Sequence, residues 1–223
     1  MEYDYIREPD AIYRQSFATI RTELTLEGLD NDLAAVVTRV VHACGMPQNA
    51  EHIHGSGDAI RAGRSAIANR KPILCDCRMV AAGIIADRLP AGTDIIPMLA
   101  HPEAAAHAKQ MGNTRSAAVI DLHREQIDGA VVVIGNAPTA LFRLLELIVE
   151  DGAKPALILG FPVGFVGAAE SKQALIDARP ALPYVTLTGR WGGSAMASAA
   201  LNAVAAGLPE DTLSPEAVLG VEQ

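Results

Sequence analysis

The chain has 223 residues, half of them hydrophobic and 4% aromatic, with a mean hydropathy of +0.20. That length and a core supply dominated by Ala, Val, Ile and Leu suit one large α/β domain, with helices on a parallel sheet, better than a β-sandwich. A formal charge of −8 and a pI near 5.2 exclude nucleic-acid binding, which needs a basic footprint, and no window holds the ~18 uninterrupted apolar residues of a membrane span.

The opening Met1-Glu2-Tyr3-Asp4-Tyr5 is acidic and carries no basic stretch followed by an apolar one, so no signal peptide is expected and the expected location is cytoplasmic. Cys44, Cys75 and Cys77 make an odd count, for which reduced thiols are the default.

A first helix is expected from Asp10 to Leu24, with Tyr13, Phe17, Ile20 and Leu24 as its buried stripe and Ser16 one turn from Tyr13 at the stripe's edge. Tyr13 reads either as a core aromatic with its hydroxyl at the rim or as one of two hydroxyls facing the same way. A second helix runs from Asp30 or Asn31, as N-cap, to Gly45 just past its end. Leu33, Val36, Val37, Val40, Val41 and Cys44 gather on one side at ~100° per residue. His42 falls opposite them, with Thr38 and Arg39 one turn back, on a face that reads as polar. Its place in the last turn favours the imidazolium through the helix dipole, which suits a proton donor as well as a solvated histidine.

His52-Ile53-His54 and Cys75-Asp76-Cys77 offer metal-ligand types, but no Cys-x-x-Cys or His-Glu-x-x-His supports them, and no metal is expected. Ser56-Gly57-Asp58 starts a helix through Ala68. From Lys71 strands and helices alternate, which implies a parallel sheet with right-handed crossovers. The first two parallel strands are Ile73-Leu74-Cys75 and Asp94 to Leu99, the latter placed towards the sheet edge by Pro97, with a helix from Met79 to Ile85 between them. A short Ala-rich helix follows His101-Pro102-Glu103. After Gly112-Asn113-Thr114-Arg115-Ser116, a further helix is expected from Ala117 to Gln126. Arg115 at a helix start calls for an anion, a bound one or an ordinary carboxylate partner.

Val131-Val132-Val133-Ile134 is the central strand, buried on both faces, and Gly135-Asn136-Ala137-Pro138-Thr139 turns it into a helix. Such a turn lies at the carboxyl edge of an open sheet, where free amides point at a ligand, so the site is expected there. The fourth strand, Pro155 to Gly160, runs into a loop from Phe161 to Lys172 whose glycines match neither a dinucleotide fingerprint nor a P-loop and whose exposed apolar residues suit a broad ligand. The fifth strand is Tyr184 to Thr188, followed by Gly192-Gly193-Ser194 and a helix of Ala and Leu with Ser194 as expected cap. The tail beyond Gly207 is expected to be loose.

Five blocks carry a resemblance: His42-Ala43-Cys44-Gly45; Gly112-Asn113-Thr114-Arg115-Ser116-Ala117; Gly135 to Leu141; Pro162-Val163-Gly164-Phe165-Val166-Gly167-Ala168-Ala169-Glu170-Ser171-Lys172; and Gly192-Gly193-Ser194-Ala195-Met196. With them the chain resembles the precorrin-8X methylmutases of cobalamin biosynthesis, from its opening residues to about Ala205. The resemblance implies a three-layer α/β/α, flavodoxin-like fold with a five-stranded parallel sheet and additional N-terminal helices. It implies a homodimer, no cofactor, and an isomerase that moves a methyl group from ring carbon 11 to ring carbon 12 of precorrin-8X, giving hydrogenobyrinate. His42 matches the family's catalytic acid, and Tyr13, Ser16 and Arg115 match pocket-lining positions. Ser116, Asn136 and Thr139, inside the same blocks, join the substrate-binding candidates.

A methyl shift on a conjugated tetrapyrrole needs a rigidly held macrocycle and a proton donor, and no redox group. The substrate's carboxylate arms need local counter-charge, for which Arg39, Arg115, Lys172 and Arg190 are candidates. The expected organisation is one domain over 1–223, with a helical part to about residue 70, an α/β part to about 207 and the tail. Alternatives are the same rearrangement on cobalt-precorrin-8, a corrinoid carrier without catalysis, or a flavin-binding flavodoxin-like module.

Overall fold

The computed structural model describes residues 3–178 and 182–206; the tail expected to be loose lies outside them. Helix α1 (Pro9–Glu23) is started by the Glu8 carboxylate, which accepts the amides of Asp10 and Ala11. Only Phe17 and Ile20 of its stripe are buried, and Tyr13 stays 39% exposed at the rim. Helix α2 (Asn31–Cys44) is capped by Asp30, which accepts the Leu33 amide at 2.9 Å, and ends on Gly45 at φ 65°. Both caps are where the sequence places them.

Residues before 70 are not all helical: after a 3-10 turn, β1 (Ile53–Gly55) precedes α3 (Ala59–Ala68). The parallel part then runs β2 (Ile73–Cys75), α4 (Arg78–Ala82), β3 (Ile95–Pro97), α5 (Ala104–Met111), α6 (Arg115–Leu122), α7 (Arg124–Ile127), β4 (Val131–Ile134), α8 (Pro138–Asp151), β5 (Leu157–Gly160), α9 (Ala168–Asp177), β6 (Tyr184–Leu187) and α10 (Ser194–Ala206). Two expected helices are shorter than their patterns. The helix from Met79 stops at Gly83, where a side chain would collide with Ser198, and a 3-10 turn over Ala86–Arg88 follows. The stretch Ala117 to Gln126 breaks at His123 into α6 and α7.

The sheet order is β1-β6-β5-β4-β2-β3. Five strands are parallel, in the order second, first, third, fourth, fifth, the flavodoxin-like doubly wound arrangement. The sixth, β1, adds an antiparallel partner outside β6, pairing His54 with Thr186. Alternation along the strands splits the core in two. Ile73, Cys75, Val131, Val133, Leu157 and Leu159 face α2, α3 and α10, with α1 laid over α2. Leu74, Val132, Ile134 and Ile158 face α6, α8 and α9. This is the expected three-layer stack. Strand order reverses between β2 and β4, so the crevice at their carboxyl ends is the switch point at which such folds bind ligands.

Candidate active site

At the switch point the structure departs from the sequence reading. The amides of Gly135, Asn136 and Ala137 are not free: all three donate to the carboxylate of Asp76, at 3.1, 2.8 and 3.0 Å. Asp76 is 1% exposed, and its own carboxylate fills the anion nest that a ligand would use. Burial raises its pKa, a rise that the three amides and Cys77 oppose. Gly135 itself is required by packing, since a Cβ there would come within 2.9 Å of Ser194 Cα, at the start of α10. The expected cap, Ser194, is therefore the first helical residue, packed at this junction with its Oγ 3.5 Å from Cys77 Sγ.

Two open hollows lie one layer out, on either side of His42. On one side a hollow of about 440 Å³ between α1 and α2 is lined by Ile6, Ser16, Ile20, Val41 and His42. On the other a hollow of about 490 Å³ is lined by Arg39, His42, Met79, Ser194, Ser198 and Asn202. His42 is the wall between them. Its Nδ1 lies 3.0 Å from Ser16 Oγ, its ring stacks on Phe17 with centroids 4.8 Å apart, and Tyr13 approaches to 5.9 Å. Ser16 thus engages one ring nitrogen and leaves Nε2 as the one available to a substrate.

The face of α2 that reads as polar is covered. Thr38 is 1% and Arg39 6% exposed, because α10 packs along this side of the helix. That changes the electrostatics of His42. Burial first, and the Arg39 charge second, lower its pKa, so the free imidazole is predominantly neutral at pH 7 and not the imidazolium that its place near the helix end suggests. The dipole term, worth at most ~2 kcal/mol in favourable geometries, loses to desolvation beside a second cation.

A family model described as precorrin-8X methylmutase matches residues 11–206. The precorrin-8X methylmutase of Pseudomonas aeruginosa is 55% identical over 202 residues, covering 91% of this chain and 97% of that protein. That of a Sinorhizobium species is 50% identical over 204 residues, covering 92% and 97%. A crystal structure of the precorrin-8X methylmutase of Thermus thermophilus superposes with a TM-score of 0.80 at 39% identity, over 87% of this chain and 94% of that one.

The chain belongs to the precorrin-8X methylmutase family. It is accordingly an isomerase, a methylmutase of cobalamin biosynthesis.

In this methylmutase the other candidate residues fall into three places. Tyr13, Ser16 and Arg39 surround His42. Arg115, Ser116, Asn136 and Thr139 lie across the switch point, where Thr114 caps α6 and its Oγ1 meets Thr139 Oγ1 at 2.8 Å. The two hollows beside His42 include none of these four. Arg115 and Asn136 are exposed, and no carboxylate among the described residues pairs with Arg115.

Lys172 is neither pocket-lining nor on the surface. It is fully buried, its Nζ donates to the Trp191 carbonyl at 2.5 Å, and burial lowers its pKa to about 8. Its ammonium is spent on the 189–193 loop, where it donates to a backbone carbonyl. The same loop is wedged by Gly192, whose missing Cβ would collide with the Phe161 carbonyl, and touched by His52, whose ring lies tilted against Trp191 with centroids 5.2 Å apart. Arg190 is exposed, its guanidinium 5.6 Å from the centre of the Phe165 ring. Between this loop and the one after β5 lies an apolar hollow of about 650 Å³, with Phe165 86% and Val166 89% exposed beside it.

The metal-ligand types are dispersed: His54 lies on β1, His52 on Trp191, and Cys75 in the buried strand β2. Among the described residues no three His, Cys, Asp or Glu side chains gather around a common point. None of their helices is long and apolar enough to cross a membrane. One residue lining the second hollow escaped the sequence reading, Asn202. The signal for Asn202 was a lone amide in an otherwise Ala-rich, apolar helix.

Proposed function

We propose that this methylmutase acts on metal-free precorrin-8X, moving a methyl group from ring carbon 11 to ring carbon 12 to give hydrogenobyrinate, with His42 as the proton donor. The observation that carries the assignment of the acid is the Ser16 contact at 3.0 Å, which fixes the imidazole in the wall between two hollows. The relatives at 55% and 50% identity, both named precorrin-8X methylmutase, favour the metal-free substrate over cobalt-precorrin-8.

Protonation of His42 is coupled to binding. In the free enzyme Arg39 opposes the imidazolium. A substrate carboxylate arriving at Arg39 cancels that charge and adds a negative one, raising the His42 pKa when the proton is needed. Tyr13 and Ser16 orient the ring. Arg115, Ser116, Asn136 and Thr139 meet the more distant arms of the macrocycle, and Lys172 acts by holding the apolar loop against which it lies. The reading includes a single domain, a cytoplasmic enzyme and a homodimer, the last supported by the exposure of Val163, Phe165, Val166 and Trp191 on neighbouring loops.

The test is His42→Ala. The variant is expected to bind hydrogenobyrinate as the parent does and to lose ~10²–10⁴-fold in turnover, the usual worth of a general acid. Unchanged turnover would remove His42 from the mechanism.

A further inference from the structure

Arg39, buried, and Arg88, half-buried, come from different elements, α2 and the 3-10 turn over Ala86–Arg88. Each has a buried Nη1 with no hydrogen-bond partner. No carboxylate among the described residues forms an ion pair with either. Such nitrogens are costly: a buried N–H without an acceptor has given up its hydrogen bond to water, and two neighbouring cations repel each other as well. The repulsion is felt here, since burial and then Arg88 lower the Arg39 pKa, with Tyr13 opposing.

The turn that carries Arg88 is held in place by α10. Asn202, 5% exposed, accepts the Ile85 amide at 2.9 Å and donates to the Gly83 carbonyl at 3.0 Å. Gly83 in turn sits so close to Ser198 that no side chain fits there. Arg39, Gly83, Ser198 and Asn202 all line the hollow of about 490 Å³ that His42 closes. The chain therefore uses a buried amide, at the wall of the cavity that Arg39 lines, to hold the turn that carries a second arginine with an unpaired Nη1.

We propose that Arg39 and Arg88 together form a receptor for one carboxylate arm of the tetrapyrrole, with Asn202 as the residue that positions Arg88. A carboxylate has four lone-pair sites and can accept from two guanidinium groups at once, which satisfies both orphan nitrogens and ends their repulsion. The inference rests on the substrate reading above and deepens it, because it places one arm within the His42 cavity.

The test titrates hydrogenobyrinate, followed by its visible absorption, into the wild type, Arg39→Met, Arg88→Met, Arg88→Lys and the Arg39→Met/Arg88→Met double variant, and melts each protein without ligand. Each single Met variant is expected to bind about 10–100-fold more weakly, the cost of a charged hydrogen-bond partner. The double variant should be much less than the product of the two losses, because both act on one carboxylate, and Arg88→Lys should recover part of the affinity. Without ligand, Arg88→Met should melt no lower than the wild type, whereas an arginine with a structural role would melt lower when replaced. Wild-type affinity in Arg88→Met, fully multiplicative losses, or a lower melting temperature with unchanged binding would each overturn the shared receptor. A wild type that does not bind hydrogenobyrinate would sink the substrate assignment and the receptor with it.

Discussion

At the turn after β4 three backbone amides converge and the chain supplies the carboxylate that satisfies them. Beside the cavity that Arg39 lines, two guanidinium groups each bury one Nη1 to which the described chain supplies no acceptor. The first arrangement is the anion site that an open α/β sheet offers by default, closed by Asp76 and turned into a structural joint between β2 and the start of α8. The second is absent from the general fold and depends on helices added around it. Where the internal partner exists, loss of that partner should be read in stability. Where it does not, the reading should be in binding and pH dependence.

The largest effect tests the first half of that contrast. Asp76→Ala leaves three amides, one buried and two partly buried, without their acceptor and is expected to cost about 3 kcal/mol of folding free energy, measured by denaturant unfolding, with Asp76→Asn less harmful because one oxygen remains. A variant of near wild-type stability that loses affinity for hydrogenobyrinate would make the nest a substrate site and reverse the comparison.

Lys172 sharpens it from the side of a cation whose partner is internal. Its pKa is about 8 in the fold against 10.5 unperturbed, so between those values the unfolded chain holds more protons and stability rises with pH. The rise is up to about 3 kcal/mol in total. It should be present in the wild type and flat in Lys172→Met, as read from unfolding midpoints across that range.

The smallest effect is on the pH profile of catalysis. An acid works while protonated, so kcat/KM should fall as pH rises through the free-enzyme pKa of His42, which burial and Arg39 hold below 6.5. Arg39→Met removes the smaller of those two causes, and the falling limb should move to higher pH while KM rises. A limb that stays in place would show that the imidazole does not feel the guanidinium.

Features decided by a few neighbouring residues were legible in the sequence. The caps of α2 are Asp30 and Gly45 as the pattern requires, Pro97 does lie on an edge strand, and four apolar β-branched residues do form the buried central strand β4. Features decided by distant pairing were not. The burial of Thr38 and Arg39 depends on α10, more than a hundred residues later, so a face that is polar by composition is interior by packing. Asp76 and its amides are about sixty residues apart, and nothing local marks the carboxylate as their partner. The strand β1 is three residues long and reads as a His-x-His motif because its pairing with β6 is equally remote. The position of His42 near the end of α2 is legible, but the lowering of its pKa is not, since the desolvation that causes it is supplied by the same long-range contacts.

The short antiparallel strand β1 has one more effect. It lies along the outer side of β6, so among the described residues the sheet ends in the three-residue β1 at one border and β3, whose Pro97 has no amide hydrogen, at the other. Neither border is long enough to template a continuous ribbon of copies. Short, proline-bearing borders of this kind disfavour edge-to-edge pairing of copies through the sheet.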